Sequence, residues 1–459
     1  MKKAYYILYC AVVSGLLSAS CEDKKSADEE RFVLSHAGFE KLSYEGEELV
    51  VKVTSPDEWT ATGQTDWCKL SVAEGNRGST ALRIEVEPNI EQERSCIIHF
   101  RTAKETQEVN ISQQALPPGK ELHYKLPIVI HVIYCDSTDK SQNPDGKYLQ
   151  EVIADVNRIY KHAGQGSVDM NVEFVPAAYA PDGAPMKEPG INRVKWATSK
   201  LDVYDVMLGK HRKYNHFIWD PNKYINVLLY TFDTLRDPKA GQIMGVSTFP
   251  YCPSYAPLRG AKPVRNMLLR SENLKYAHCI SINNAYVRGR SYLFRQYELD
   301  RKQTSVANTL AHELGHYLGL YHVFSESANS RCEDTDYCSD TPSYDMSLYT
   351  EDLKKIVYRW HSSPIYRTDE LFYSAFKRRS CDGTEYDARN IMDYTYCYQD
   401  LFTADQRARV RHVLSYSPLI PGPKKGRNDS RTRSVEGLVD LPVQVMCLPR
   451  KKHEYSDGK

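Results

Sequence analysis

The residues best placed to do chemistry lie at 309–324, TLAHELGHYLGLYHVF, where His312, Glu313, His316 and His322 sit in an apolar setting with Gly319 between the last two histidines. On a helix, residues four apart share a face, so His312 and His316 can aim their imidazoles at one point. Glu313 follows the first histidine and can reach a water bound to the same ion. His-Glu-x-x-His on a helix is a zinc arrangement with the glutamate as general base. Gly319 can take the left-handed conformation that stops a helix and turns the chain. His322, three residues after that turn, can then swing back as a third ligand. The competing reading is a core helix with a few tolerated polar residues.

The full pattern His-Glu-x-x-His-x-x-Gly-x-x-His resembles the metzincin signature. That resemblance implies a Met-turn beneath the metal, and NIMDYTYC at 390–397 matches it. Met392 would be the hydrophobic floor, and Tyr394 the hydroxyl that donates to the transition state. Two matches in the right order weigh against the core-helix reading. Within the metzincins the chain resembles the pappalysins, ulilysin-like members included. LPIVIHVIY, the histidine helix ending in HVF, CSDTP at 338–342 and LFTADQRARV at 401–410 all occur in that family's order, over roughly residues 122–417. It also resembles exported Bacteroidetes zinc metalloproteinase lipoproteins that join such a domain to an N-terminal sandwich.

The ligand set implies the chemistry. Three neutral imidazoles leave Zn2+ its double charge and an open position for a water, whose pKa falls toward about 7. Glu313 would accept the water proton and pass it to the leaving amine. Tyr394 and the ion would stabilise the oxyanion. The family resemblance places a protein or peptide substrate extended along an edge strand, for which MGVSTFP at 244–250 is the candidate. It also suggests structural Ca2+ near RCEDTDYCSDTP, where Glu333, Asp334, Asp336 and Asp340 are hard oxygen ligands. The spacing is not that of an EF-hand, and an acidic surface loop explains it equally well. Some pappalysins cap the metal with a prosegment cysteine. Cys68 and Cys96 could do this or pair with each other, but neither sits in a cysteine-switch motif and a structural role is expected.

These residues need a scaffold, and the chain of 459 residues is long enough for two or three domains. The opening MKKAYYILYCAVVSGLLSASCEDKK reads as a signal peptide over 1–21, with a positive n-region and an apolar h-region too short to span a bilayer. It resembles a lipoprotein leader in which Cys21 is lipidated, though Leu17 stands one place early for the usual lipobox. Export to the outer membrane or cell surface through a lipid anchor is the expectation. After a charged linker at 22–31, residues 32–115 alternate as short strands in the manner of an all-β sandwich. Trp59, Trp67, Leu70, Gly75, Asn89, Arg94 and the closing ISQQA resemble the BACON domain, an immunoglobulin-like sandwich. Its glycan-binding and spacer readings both stand, and the spacer is favoured because no exposed aromatic pair can be singled out.

Residues 116–121 are a Pro–Gly linker, and 122–420 carry five strand stretches and helical segments, an α/β metzincin catalytic domain with a five-stranded mixed sheet. The weakly periodic part at 177–221 can hold one short helix. The remainder, 421–459, reads as a polar, peripheral tail. Of the twelve cysteines, Cys332, Cys338, Cys381 and Cys397 cluster in a loop-rich region where two disulfides are expected, with three possible connectivities. A formal charge of +1 gives no electrostatic case for nucleic acid. The leading expectation is an exported, lipid-anchored zinc endopeptidase. The alternative is a surface glycan- or protein-binding lipoprotein on a metzincin scaffold that no longer cuts.

Overall fold

The computed structural model describes residues 31–448 apart from 210–211, 236–241, 266, 288–293, 295–296, 328–329, 395, 427–432 and 435. The leader with Cys21 lies outside the described residues. The chain divides into two compact units. Among the described residues, one comprises those up to Leu42 with Glu48–Val86 and Ser95–Ser112, and the other holds Ser43–Glu47, Glu87–Arg94 and those from Gln113 onward.

The first unit is built from two sheets that share one core. One sheet runs in the order Val33–Leu34, Glu47–Ser55, Gly78–Val86, Cys68–Leu70; the other runs Gly38–Leu42, Thr106–Gln113, Arg94–Arg101, Trp59–Thr62, Glu74–Gly75. Period-two alternation decides the inside: Val51, Val53, Leu82 and Ile84 face Trp59, Ile98, Phe100 and Ile111. Trp59 is a fully buried anchor of this core, whereas Trp67 is only partly buried. Gly75 leaves room for the indole, since a Cβ there would lie 2.5 Å from Trp59. Cys68 is buried and Cys96 half-buried in this unit.

The second unit is organised by one mixed sheet. Its strands are β1 (Tyr124–Tyr134), β2 (Val172–Pro176), β3 (Ile191–Lys195), β4 (Lys200–Leu201), β5 (Ile225–Phe232), β6 (Gly245–Thr248), β7 (Ile280–Asn283) and β8 (Val445–Met446). The order is β2-β1-β5-β7-β6-β8, with β3 also on β1 and β4 on β5. The pairs of β1 with β2, β3 and β5, and of β5 with β7, are parallel. Strand β6 is antiparallel to both β7 and β8. The five expected strand stretches all lie here, but the sheet has eight strands among the described residues rather than five. The additional ones are short pieces whose partners stand far away in the chain.

Both faces of β1 and β5 are covered, which is why they read as near-continuous apolar runs. Ile128, Ile130, Val227 and Leu229 face a core closed by α1 (Gly146–His162) and α2 (Val306–Tyr317). Ile133, Leu228, Tyr230 and Phe232 face Leu201, Val203, Met207 and Phe217 from the 177–221 stretch. That stretch forms strands and a short helix, Val203–Leu208, and caps the second sheet face. Further helices are α3 (Met346–Ser362) and α4 (Ala404–Tyr416). His131, an ordinary histidine by spacing, is buried in β1 with Nε2 3.0 Å from Asn226 Oδ1 and Nδ1 2.9 Å from Asn192 Nδ2.

Candidate metal centre

Helix α2 begins where the Ser305 hydroxyl accepts from the Asn308 backbone N–H at 3.2 Å, an N-cap. Tyr160 of α1 donates to the Ala311 carbonyl at 3.0 Å and fixes the helix against its neighbour. The helix ends in a Schellman motif: Gly319 N–H donates to the His316 carbonyl at 3.0 Å, and Leu320 N–H to the Gly315 carbonyl at 2.9 Å. Gly319 has φ +93°, the left-handed conformation its position predicts. Arg409 of α4 donates through Nε and Nη2, both at 3.1 Å, to the Gly319 carbonyl and holds the turn from outside. The chain then doubles back, and His322 returns to the first two histidines.

Each imidazole is oriented through Nδ1. His312 Nδ1 lies 2.8 Å from the Ile391 carbonyl, His316 Nδ1 2.7 Å from the Leu320 carbonyl and His322 Nδ1 2.8 Å from Glu326 Oε1. A carbonyl or carboxylate oxygen can only accept, so Nδ1 carries the proton and the Nε2 lone pair points inward. His316 Nε2 is 3.1 Å from the Nε2 of both His312 and His322. Lone pairs converging in this way suit a cation. Nitrogens bound tetrahedrally at zinc distances stand about 3.3 Å apart. The residues therefore fit a zinc-sized ion. Burial holds His312 down at about 3 and His316 well below its ordinary value, with the neighbouring histidines adding to the effect, so both rings are neutral.

Glu313 is buried beside the three rings, and its Oε2 has no hydrogen-bond partner. Burial lifts its carboxyl to about 8; a dication at the centre would act in the opposite direction. Strand β6 sets where this carboxylate sits, because a Cβ on Gly245 would approach Glu313 Cγ to 2.6 Å. Met392 lies fully buried under the helix, against Gly315, where a Cβ would meet its sulfur at 2.3 Å. The Tyr394 ring packs 4.4 Å from that of His322.

The turn carrying Met392 and Tyr394 is clamped from below. Asn390 Oδ1 accepts from Met392 N–H at 2.9 Å, and the Asn390 and Gln406 amides exchange two bonds of 3.0 Å. Asp393 is in a buried ion pair with Arg378 at 3.3 Å and accepts from the Tyr344 hydroxyl at 2.5 Å. The Arg378 guanidinium lies 3.6 Å over the Tyr349 ring.

All six expected chemical residues, His312, Glu313, His316, His322, Met392 and Tyr394, are brought to one place. One further side chain is there that the sequence reading missed. Cys447 Sγ stands 3.3 Å from His316 Nε2, 3.5 Å from His322 Nε2 and 3.7 Å from His312 Nε2, and 3.6 Å from the Tyr394 hydroxyl. Among the described residues, the three histidines and Cys447 are the group able to hold an ion. The expectation that 421–459 is a peripheral tail fails for this part. β8 pairs with β6 because the segment carries the apolar residues Val443, Val445 and Met446, which a net basic composition hid. Glu326, the other omission, had a local signal, since it lies four residues after His322.

Two other expectations change. Of the four clustered cysteines, Cys332 and Cys381 are joined in a disulfide; Cys338 and Cys397 are buried thiols, with Cys397 Sγ 3.1 Å from the Asn390 carbonyl. The acidic loop uses carboxylates on its own chain, and among the described residues it is not one of the groups able to hold an ion. Asp334 accepts from Tyr337 N–H, Asp336 from Cys338 N–H and the Thr341 hydroxyl, and Asp340 from Asp405 N–H at the start of α4. Burial raises the Asp336 carboxyl above its usual range.

A three-histidine centre on a helix, closed by a glycine turn and floored by a methionine, is the arrangement that the metzincin resemblance implies. Residues 288–415 match the peptidase family model described as pregnancy-associated plasma protein-A, and residues 57–114 match the BACON domain model. Residues 288–415 are thus similar to pappalysins and residues 57–114 to BACON domains. An extracellular metalloprotease of Arthroderma otae is 62% identical over 104 residues, covering 22% of this chain and 29% of that protein. The one from Arthroderma benhamiae is 60% identical over the same length. The chain thus spans 29% of the length of these relatives. Among solved structures, a Tannerella forsythia promirolysin mutant aligns at 21% identity over 63% of this chain and 80% of that one, with a TM-score of 0.41.

Proposed function

We propose that this chain is an exported zinc-dependent endopeptidase whose metal is held by His312, His316 and His322 and whose general base is Glu313. The observation that carries the reading is the convergence of three inward Nε2 lone pairs beside a buried carboxylate oxygen with no partner. Zinc bound there supplies a Lewis acid that makes water nucleophilic near neutral pH. Glu313 takes a proton from the attacking water and delivers it to the leaving amine. Tyr394 donates from its hydroxyl to the carbonyl oxygen as negative charge develops. Met392 and the Asp393–Arg378 pair keep the floor and Tyr394 at fixed height under the helix. A peptide substrate lies extended along the outer edge of β6, held by main-chain hydrogen bonds. Relatives named extracellular metalloproteases support export. The leader sequence favours a lipid anchor at Cys21, with the N-terminal sandwich as a spacer.

The test is digestion of denatured casein by the full chain and by its Cys447→Ala variant, since the thiol sits on the centre. Cleavage that phenanthroline stops and added zinc restores is expected. Cleavage indifferent to the chelator, or none by either protein once loaded with zinc, overturns the reading.

A further inference from the structure

The segment that brings Cys447 to the histidines is bound as an extended peptide would be. Thr248 pairs with Val445 and Ser247 with Met446 in antiparallel register on the open side of β6. The Phe249 N–H donates to the Gln444 carbonyl at 2.9 Å, and the Gln444 amide donates to the Tyr321 hydroxyl at 2.7 Å. Upstream, Val439 N–H donates to the Asn273 carbonyl at 2.9 Å, and Asn273 Nδ2 donates to the Gly437 carbonyl at 2.8 Å. Val439 and Leu441 pack on a cluster containing Leu269, Leu274 and Leu419. The chain then bends at Cys447 itself, which has φ +63°, a left-handed conformation unusual for a residue with a Cβ. The bend turns Sγ into the site.

The position of Sγ is that of a fourth ligand. Around one ion, tetrahedral nitrogen and thiolate ligands at zinc distances stand about 3.6 Å apart. The observed separations of 3.3, 3.5 and 3.7 Å bracket that value. The thiol also lies at Tyr394, so it fills the space that the attacking water and the carbonyl of a substrate need.

Resting on the metal reading above, we propose that residues 439–448 are a built-in inhibitor: Cys447 binds the metal as its fourth ligand while Gln444–Met446 occupy the substrate edge of β6. A thiolate ligand closes the coordination shell, giving up its proton to solvent as it binds. A peptide substrate and this segment compete for the same backbone groups, so cleavage requires the segment to leave. Four protein ligands also describe a purely structural site, and the test must separate the two.

The experiment uses the full chain loaded with cobalt(II), and its Cys447→Ser variant. A sulfur-to-cobalt charge-transfer band in the near ultraviolet is expected in the first and not in the second, with the visible cobalt bands retained in both. In the zinc-loaded proteins, Cys447→Ser should raise casein cleavage about tenfold or more. A synthetic peptide of residues 439–448 should then inhibit the variant, and its serine counterpart at Cys447 should do so at least about tenfold more weakly. Identical cobalt spectra overturn the thiol ligand. Loss of the band without any gain in cleavage, the peptide having no effect, makes the site a closed structural one and overturns the inhibitor. Failure of both chains to take up cobalt instead overturns the metal reading, and the thiol ligand with it.

Discussion

The two sides of the centre are held in different ways. His312, His316 and His322 come from one uninterrupted stretch; the first two rings are tied by buried hydrogen bonds to backbone carbonyls and the third by a partly buried one to Glu326. Cys447 arrives from more than a hundred residues downstream, on a strand of two residues, with Gln444 and a strained backbone holding it in place. Removing the first set would require melting α2 and its core. Removing the second requires breaking a short strand pairing and a few side-chain contacts, the kind of element that opens locally at low cost. On the proposed reading, the ligands that persist are built into the core and the group that leaves is attached at an edge.

This contrast can be broken most severely on the rigid side. Asp393→Ala strips Arg378 of its buried partner and should cost about 3–5 kcal/mol of stability, read by urea unfolding. A cost below about 1 kcal/mol would mean that the methionine turn does not depend on the pair. Gly319→Val places a β-branched residue at φ +93°, where its Cβ would also meet Val413 at 2.7 Å. A loss of about 1–3 kcal/mol is expected, with weaker zinc binding although no ligand is touched. Full zinc occupancy at competing chelator would argue that the turn does not place His322.

The smallest effect concerns acid. Burial holds His131 at about 4 against an ordinary 6.5, with the Asn226 bond opposing. As pH falls, the unfolded chain takes up this proton first, so stability is intact above the ordinary value and is lost between it and about 4. The expected loss from pH 7 to pH 5 is about 1–2 kcal/mol. His131→Asn should flatten that slope; an unchanged slope assigns the acid sensitivity to other groups.

The same contrast governs what could be read in the sequence. The histidine helix was legible because ligand spacing, the glycine stop and the methionine turn are local patterns that the helix period converts directly into geometry. β1 and β5 were legible as buried apolar runs. The strands that were missed, β3, β4 and β8, are two to five residues long, too short for alternation to register, and they exist only through partners elsewhere in the chain. Cys447 was missed for the same reason. Cys447 has no ligand spacing shared with the histidine helix, and the pairing of β8 with β6 carries it to the centre. The disulfide pattern depended on loop positions in space, and two of its four cysteines proved to be buried thiols.

The most direct measurement compares casein cleavage and bound zinc in the Cys447→Ala chain and in the same chain also carrying Glu313→Ala. About one zinc per chain is expected in both, with cleavage falling by about 10²–10⁴-fold in the second as the general base is lost. Equal cleavage by the two proteins, with zinc bound in each, would contradict the account.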